Sequence, residues 1–202
     1  NTRNQSLIWT DNAVHAMEFV GPPFIFNFRQ LGSNCGIAGQ HAAIELDGRI
    51  FWMGAKDFFV YDGAVKALPC TVRRYVYDDF NFDQKEKVYA GTNQEFREVT
   101  WLYPSKNSTE VDRYVSYNPV ENYWTFGTTI FTTWEDKEVF QNIITTGQEA
   151  DGDNYLYTNE PEGIYTADGQ RQEAFLESSE FDTTPPSYGP GDSIMYLDRI
   201  VP

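Results

Sequence analysis

Basic residues are scarce. Fifteen Lys and Arg stand against 30 Asp and Glu, a formal net charge of −15. Proteins that wrap nucleic acid neutralise phosphates with clustered Lys and Arg, so the balance argues against that class of function. The acidity suits a solvated surface, a face that repels DNA, or carboxylates that take cations. Long apolar runs are missing too. A membrane-crossing helix needs about 18 consecutive apolar residues, and no such stretch occurs. Cysteine is limited to Cys35 and Cys70. The pair allows one disulfide and equally suits a reducing compartment, because the spacing is not diagnostic. Neither a Gly-x-x-x-x-Gly-Lys-Ser/Thr loop nor a Gly-x-Gly-x-x-Gly turn is present, so the two common phosphate cradles are absent. The opening Asn-Thr-Arg-Asn has no Met and no basic, apolar leader, and Ser193 to Pro202 ends in a strand-like run. The expectation is an inner piece of a longer chain.

Aromatic residues are what the chain has in quantity, at 16% of 202 residues. They favour pleated, half-buried surfaces, and 15 Gly with 10 Pro supply turns between them. Arg49 to Gly63 is the densest example: an apolar run through Trp52, a polar turn, then Phe58-Phe-Val-Tyr61 and Asp62-Gly63. Further strands are expected at 6–10, 13–19, 24–28, 42–46, 98–103, 112–117, 123–126, 128–134, 139–144, 155–157 and 174–181, with Ile164-Tyr165 between the last two. Asp47-Gly48 is a hairpin turn signal. Thr183 to Asp192, rich in Pro and Gly, reads as a loop. Val76 to Ala90 has many charges and few turn residues, which predicts a helix capped by Asp79 or Asn81.

Leu7-Ile-Trp9, Ile50-Phe-Trp52, Val99-Thr-Trp101 and Tyr155-Leu-Tyr157 are each followed by a second aromatic strand. The first three tryptophans lie 43 and 49 residues apart. A period of roughly 40–50 residues with about four short strands marks a β-propeller blade. The expected fold is therefore all-β, a β-propeller or part of one, with about four blade-like antiparallel units in a single region over 1–202. The alternative is an irregular β-sandwich. In the propeller the tryptophans pack blade against blade.

Candidate chemistry is thin. His15 and His41 have no His or Cys at ligand spacing, and zinc would need more ligands. Cys35 with a histidine would resemble a nucleophile and base, but buried thiols are common packing residues. Gly32-Ser-Asn-Cys-Gly36 lacks the spacing of a nucleophile elbow. Asp78-Asp79, Glu110 with Asp112, and Glu160 with Glu162 are the closest carboxylate groupings for a glycosidase pair. All lie in charged or turn-like stretches where solvated acids are expected. Asp151-Gly-Asp-Asn154 lacks the full calcium-loop spacing. Asn4-Gln-Ser and Asn107-Ser-Thr match the glycosylation triplet. No catalytic, cofactor-binding or metal-binding residue is assigned from these patterns.

The run Glu45 to Val72, Glu98-Val-Thr-Trp-Leu-Tyr-Pro-Ser, Asp112-Arg-Tyr-Val-Ser-Tyr-Asn118 and Tyr123-Trp124 resemble a family of phage virion proteins. So do Gly21-Pro-Pro-Phe24, Leu31 to Gly36, Glu177-Ser-Ser-Glu-Phe-Asp182 and Leu197 to Pro202. The family is the tail hub, or packaged-DNA stabilisation protein, of short-tailed bacteriophages, related in role to tail nozzle proteins. The resemblance spans nearly the whole chain, and its motifs are aromatic strands without an active-site signature. It implies a structural protein and no enzyme, without cofactors. Subunits would form a homo-oligomeric ring, usually of six, that lines or plugs the DNA exit channel. Partners would be the portal or adaptor protein and other tail proteins, with DNA passing through the channel without specific binding and no membrane insertion by this segment. Its place would be the virion tail, assembled in the bacterial cytoplasm. An acidic channel would let DNA slide. The alternative is a carbohydrate-binding or glycoside-hydrolysing β-propeller.

Overall fold

The structure is a computed structural model that describes residues 5–137, 140–149 and 152–159, and the backbone at 166–167 and 170–171. The chain groups into two compact units, 1–162 and 163–202. In the second unit, Thr166–Ala167 pairs antiparallel with Gln170–Arg171.

The first unit is all-β, built from four antiparallel sheets in succession. Sheet 1 comprises β1 (Ser6–Trp9), β2 (Ala13–Phe19) and β3 (Phe26–Ser33). Sheet 2 comprises β4 (Ala43–Leu46), β5 (Arg49–Met53), β6 (Phe58–Tyr61) and β7 (Val65–Ala67). Sheet 3 comprises β8 (Tyr89–Asn93), β9 (Glu98–Tyr103), β10 (Arg113–Asn118) and β11 (Tyr123–Thr128). Sheet 4 comprises β12 (Phe131–Glu135), β13 (Ile144–Gln148) and β14 (Asn154–Thr158). Every sheet runs in sequence order, strand beside next strand. Such meanders form where short apolar runs are separated by tight turns. Asp47 (φ 52°) and Gly48 (φ 74°) make the left-handed pair that joins β4 to β5.

Neighbouring sheets pack against one another, as either a blade-like fold or a sandwich allows. The first strand β8 lies against β4 on one side and β12 on the other. A parallel bridge joins His41 to Tyr89, and Ala90 N–H donates to His41 O at 2.8 Å. Sheet 2 is therefore buried on both faces. Ile50 and Trp52 pack towards sheet 1 with Val14 and Tyr61. Phe51 and Met53 point the other way, into a larger core with Val99, Trp101, Tyr103 and Val115 of sheet 3. This explains why Ile50-Phe-Trp-Met53 is an unbroken apolar run: a strand covered on both faces has no polar side to alternate with.

The helix expected over 76–90 is two short pieces. Helix α1 spans Arg73–Asp79 and a 3-10 turn spans Phe82–Lys87. Between them Phe80 and Asn81 are extended. Phe80 is buried and bridges Ser105, and Asn81 N–H donates to Pro104 O at 3.0 Å. Burial of one ring and two long-range backbone contacts outweigh the few tenths of a kcal/mol by which these residue types differ in helix propensity. Asn81 caps the second piece, its side-chain oxygen accepting from Asp83 N–H at 3.0 Å. Asp79 ends α1, and Tyr89 already belongs to β8. The strand expected at 139–144 is Ile144–Gln148 instead. The strands at 164–165 and 174–181 and the loop at 183–192 fall outside the described residues.

The repeat also needs one realignment. Trp52 and Trp101 are equivalent: each lies on the second strand of its sheet, opposite an alanine of the first (Ala43, Ala90). Trp9 lies on a first strand, and Tyr155 to Tyr157 on a third. Spacing cannot reveal this, because the loops between strands differ in length.

Candidate functional site

Four of the five tryptophans tie neighbouring sheets together through their ring N–H. Trp52 donates to Cys35 O at 2.9 Å and Trp101 to Ala42 O at 3.1 Å. Trp124 donates to Pro69 O at 3.0 Å and Trp134 to Thr92 O at 2.8 Å. The acceptor lies each time in or beside the preceding sheet. A buried indole usually finds an acceptor for its one donor, so each of these rings carries both apolar area and a directional bond across the joint. Trp9 meets Trp52 edge-on, with centroids 5.7 Å apart. Phe58 of sheet 2 sits between Trp101 (4.8 Å) and Trp124 (4.9 Å) of sheet 3. These contacts join neighbouring sheets, which is the packing role expected of the aromatics.

The candidate catalytic groups are dispersed or held in structural pairs. Cys35 and Cys70 are both free thiols. Cys35 is buried between sheets 1 and 2, and desolvation raises its pKa. Burial pushes the Cys70 thiol up to about 11. A nucleophilic thiol needs the opposite shift. His41 stacks on Tyr89 with centroids 5.2 Å apart, and His15 lies mid-strand in β2. Asp79 and Asp112 share Arg113 at 3.3 Å each. Asp112 also accepts from Ser105 N–H and Oγ–H, both at 2.7 Å. Glu110 pairs with Lys87 instead. These carboxylates pin α1 and the 104–112 loop to sheet 3. Glu160, Glu162, Asp151 and Asn4 lie outside the described residues, and Asn107 is exposed in its loop. Among the described residues, no three His, Cys, Asp or Glu side chains converge as a metal site.

Among the concave surfaces of the described residues, one lies over the first strands β4, β8 and β12. It is a cleft of about 340 Å³. Glu45, Glu135 and Asp136 line it, with Gln40 and Gln94, the His41–Tyr89 stack and Trp134. None of the described residues lining it is Lys or Arg. Asp136 accepts from Thr92 Oγ1–H at 2.7 Å and from Lys137 N–H at 2.7 Å, which fixes its carboxylate at the rim. Trp134 lies over Gly91, where an added Cβ would stand 2.2 Å from the indole. Acids, amides and aromatic faces can hold a hydroxyl-rich or cationic group and repel phosphate. Apart from His41, these residues were not singled out as candidates in the sequence. They belong to the first strand of each sheet or to its flank, a position that only the meander topology defines.

No protein-family model matches this chain, and no curated protein is significantly similar to it.

Proposed function

We propose that this chain is a structural protein of a short-tailed phage tail, of the hub or nozzle type, and no enzyme. Copies form a homo-oligomeric ring that lines or plugs the DNA exit channel beneath the portal or adaptor, and other tail proteins attach to it. One observation carries the reading. The aromatic strands that resemble the tail-hub family, Arg49 to Tyr61, Glu98 to Tyr103, Arg113 to Asn118 and Trp124, are the residues that join sheet 2 to sheet 3. They encode architecture, and the carboxylates beside them serve as braces. The net charge of −15 supports a channel wall along which DNA slides without being gripped. The test is electron microscopy of the purified protein, with antibody labelling of phage particles. Rings in isolation and label at the tail are expected. Absence of the protein from virions would overturn the reading.

A second reading, an oligosaccharide-binding blade protein, is favoured by the cleft, where Trp134 and Tyr89 stand beside Glu45 and Gln94. A glycan array separates the two. Saturable binding that Trp134→Ala abolishes would support the second.

A further inference from the structure

One cluster of exposed apolar residues takes no part in the packing between sheets. It is the β2–β3 hairpin. Phe19, Val20, Phe24, Ile25, Phe26 and Phe28 are exposed, from 51% at Phe26 to 75% at Phe24. The register places Phe19 opposite Phe26 and Met17 opposite Phe28, so these four share one face of sheet 1. Sheet 2 packs on the opposite face, through Val14, Leu7 and Trp9. The patch is held in place. Val20 N–H donates to Ile25 O at 3.1 Å across the turn, Phe19 and Phe26 meet edge-on at 6.0 Å, and Glu18 pairs with Arg29. Strand β3 is also the outer strand of its sheet, so one edge of its backbone is unpaired within that sheet.

The area decides what kind of contact this is. An aromatic ring offers roughly 150–250 Å². The rings on the shared face, Phe19, Phe26 and Phe28, present roughly 350 Å² of apolar surface at these exposures, and Val20, Phe24 and Ile25 at the turn add to it. The largest patch on a typical monomer is about 300–600 Å², and a stable interface needs about 800 Å² from each partner. A flat apolar edge of this size is an aggregation hazard unless something covers it.

Charge points to what covers it. Residues 19–28 contain no charged side chain, and the flanking Glu18 and Arg29 cancel each other. Two copies that each carry −15 repel over most of their surface. This hairpin lets them approach without bringing carboxylates together or desolvating any charge. A basic partner would instead be drawn to the carboxylates elsewhere. We propose that the Phe19–Phe28 hairpin is a subunit contact, covered by a second copy of this chain. This names the contact that the proposed ring requires, and to that extent it rests on that reading.

The test uses the purified chain. Sedimentation velocity over a concentration series is compared with the double variant Phe26→Glu, Phe28→Glu. A photo-crosslinking amino acid replaces Phe24 in a separate sample. The wild type is expected to associate, and the variant to associate about 100-fold more weakly with an unchanged circular dichroism spectrum. Photolysis is expected to give a band at twice the chain mass. Association that persists in the variant, with no intersubunit crosslink at position 24, would overturn this contact and leave the ring standing. A chain that stays monomeric at every concentration would overturn both. If the double variant does not fold, the crosslink alone decides.

Discussion

Gly91 is where the joint between sheets 3 and 4 is most exposed to a single atom. Its Cα faces the indole of Trp134, and a Cβ there would stand 2.2 Å from Cδ1 and Cγ and 2.7 Å from Cβ of that residue. These atoms sit at the root of the side chain, so a rotation of the ring tip cannot relieve the clash. Gly91→Ala must therefore move the indole or the strand that bears it. Overpacking of this kind costs about 1–3 kcal/mol. The bond from Trp134 Nε1–H to Thr92 O, 2.8 Å long, is lost with the movement, at about 0.5–1.5 kcal/mol. The sum is roughly 1.5–4.5 kcal/mol, which for a chain of this size lowers Tm by roughly 3–18 °C. The loss should also be local. Hydrogen exchange is expected to quicken in β12 to β14 and at Thr92, and to stay slow at Phe51 and Trp101. The decisive assay is a double-mutant cycle with Trp134→Ala, because that change removes Cγ and Cδ1, the two atoms that the methyl would strike at 2.2 Å. In the Trp134→Ala background the methyl should cost much less than in the wild type. An equal destabilisation in both backgrounds would refute the packing argument, and so would an unchanged Tm in the single variant.

Two further predictions test the core. The Tyr103 hydroxyl is buried without a hydrogen-bond partner, so Tyr103→Phe should raise stability by about 1 kcal/mol, read from urea midpoints; a loss of similar size would show that the hydroxyl is satisfied. Stability should also fall at alkaline pH. Burial raises the pKa of Cys70, Tyr77 and Tyr103 in the folded chain. The unfolded chain gives up these protons first, from 9.0 for cysteine and 10.0 for tyrosine. The stabilisation is thus complete below pH 9.0 and is lost as pH rises, through about 11 for Cys70 and further for the tyrosines. A thermal melt series from neutral pH upward should show the decline, and Cys70→Ala should blunt its first part. A flat Tm across that window would count against the burial of all three groups.

Much of the architecture was legible in the chain itself. The Asp47-Gly48 turn and the short aromatic and apolar runs mark Arg49–Met53, Phe58–Tyr61 and Glu98–Tyr103 as strands, because hairpin chemistry and strand preference are local properties. The aromatic wealth also announced packing between repeated units. Tyr89–Asn93 was hidden, because a charged segment with few turn residues looks helical until Phe80 and Asn81 are drawn to Ser105 and Pro104. The cleft was hidden for a related reason. Glu45, Trp134 and Asp136 share a surface only because β4, β8 and β12 each open a sheet and lie side by side.

The tryptophans divide along the same line. That they would lie in strands, packed or half-buried, follows from residue type and near neighbours, and is written in the chain. Which sheet each one reaches is a property of the assembled fold alone. Trp52 turns back to Cys35, Trp101 to Ala42 and Trp134 to Thr92. The direction depends on which face of the pleat meets the preceding sheet, and that is set by loop lengths and by the order in which the sheets stack.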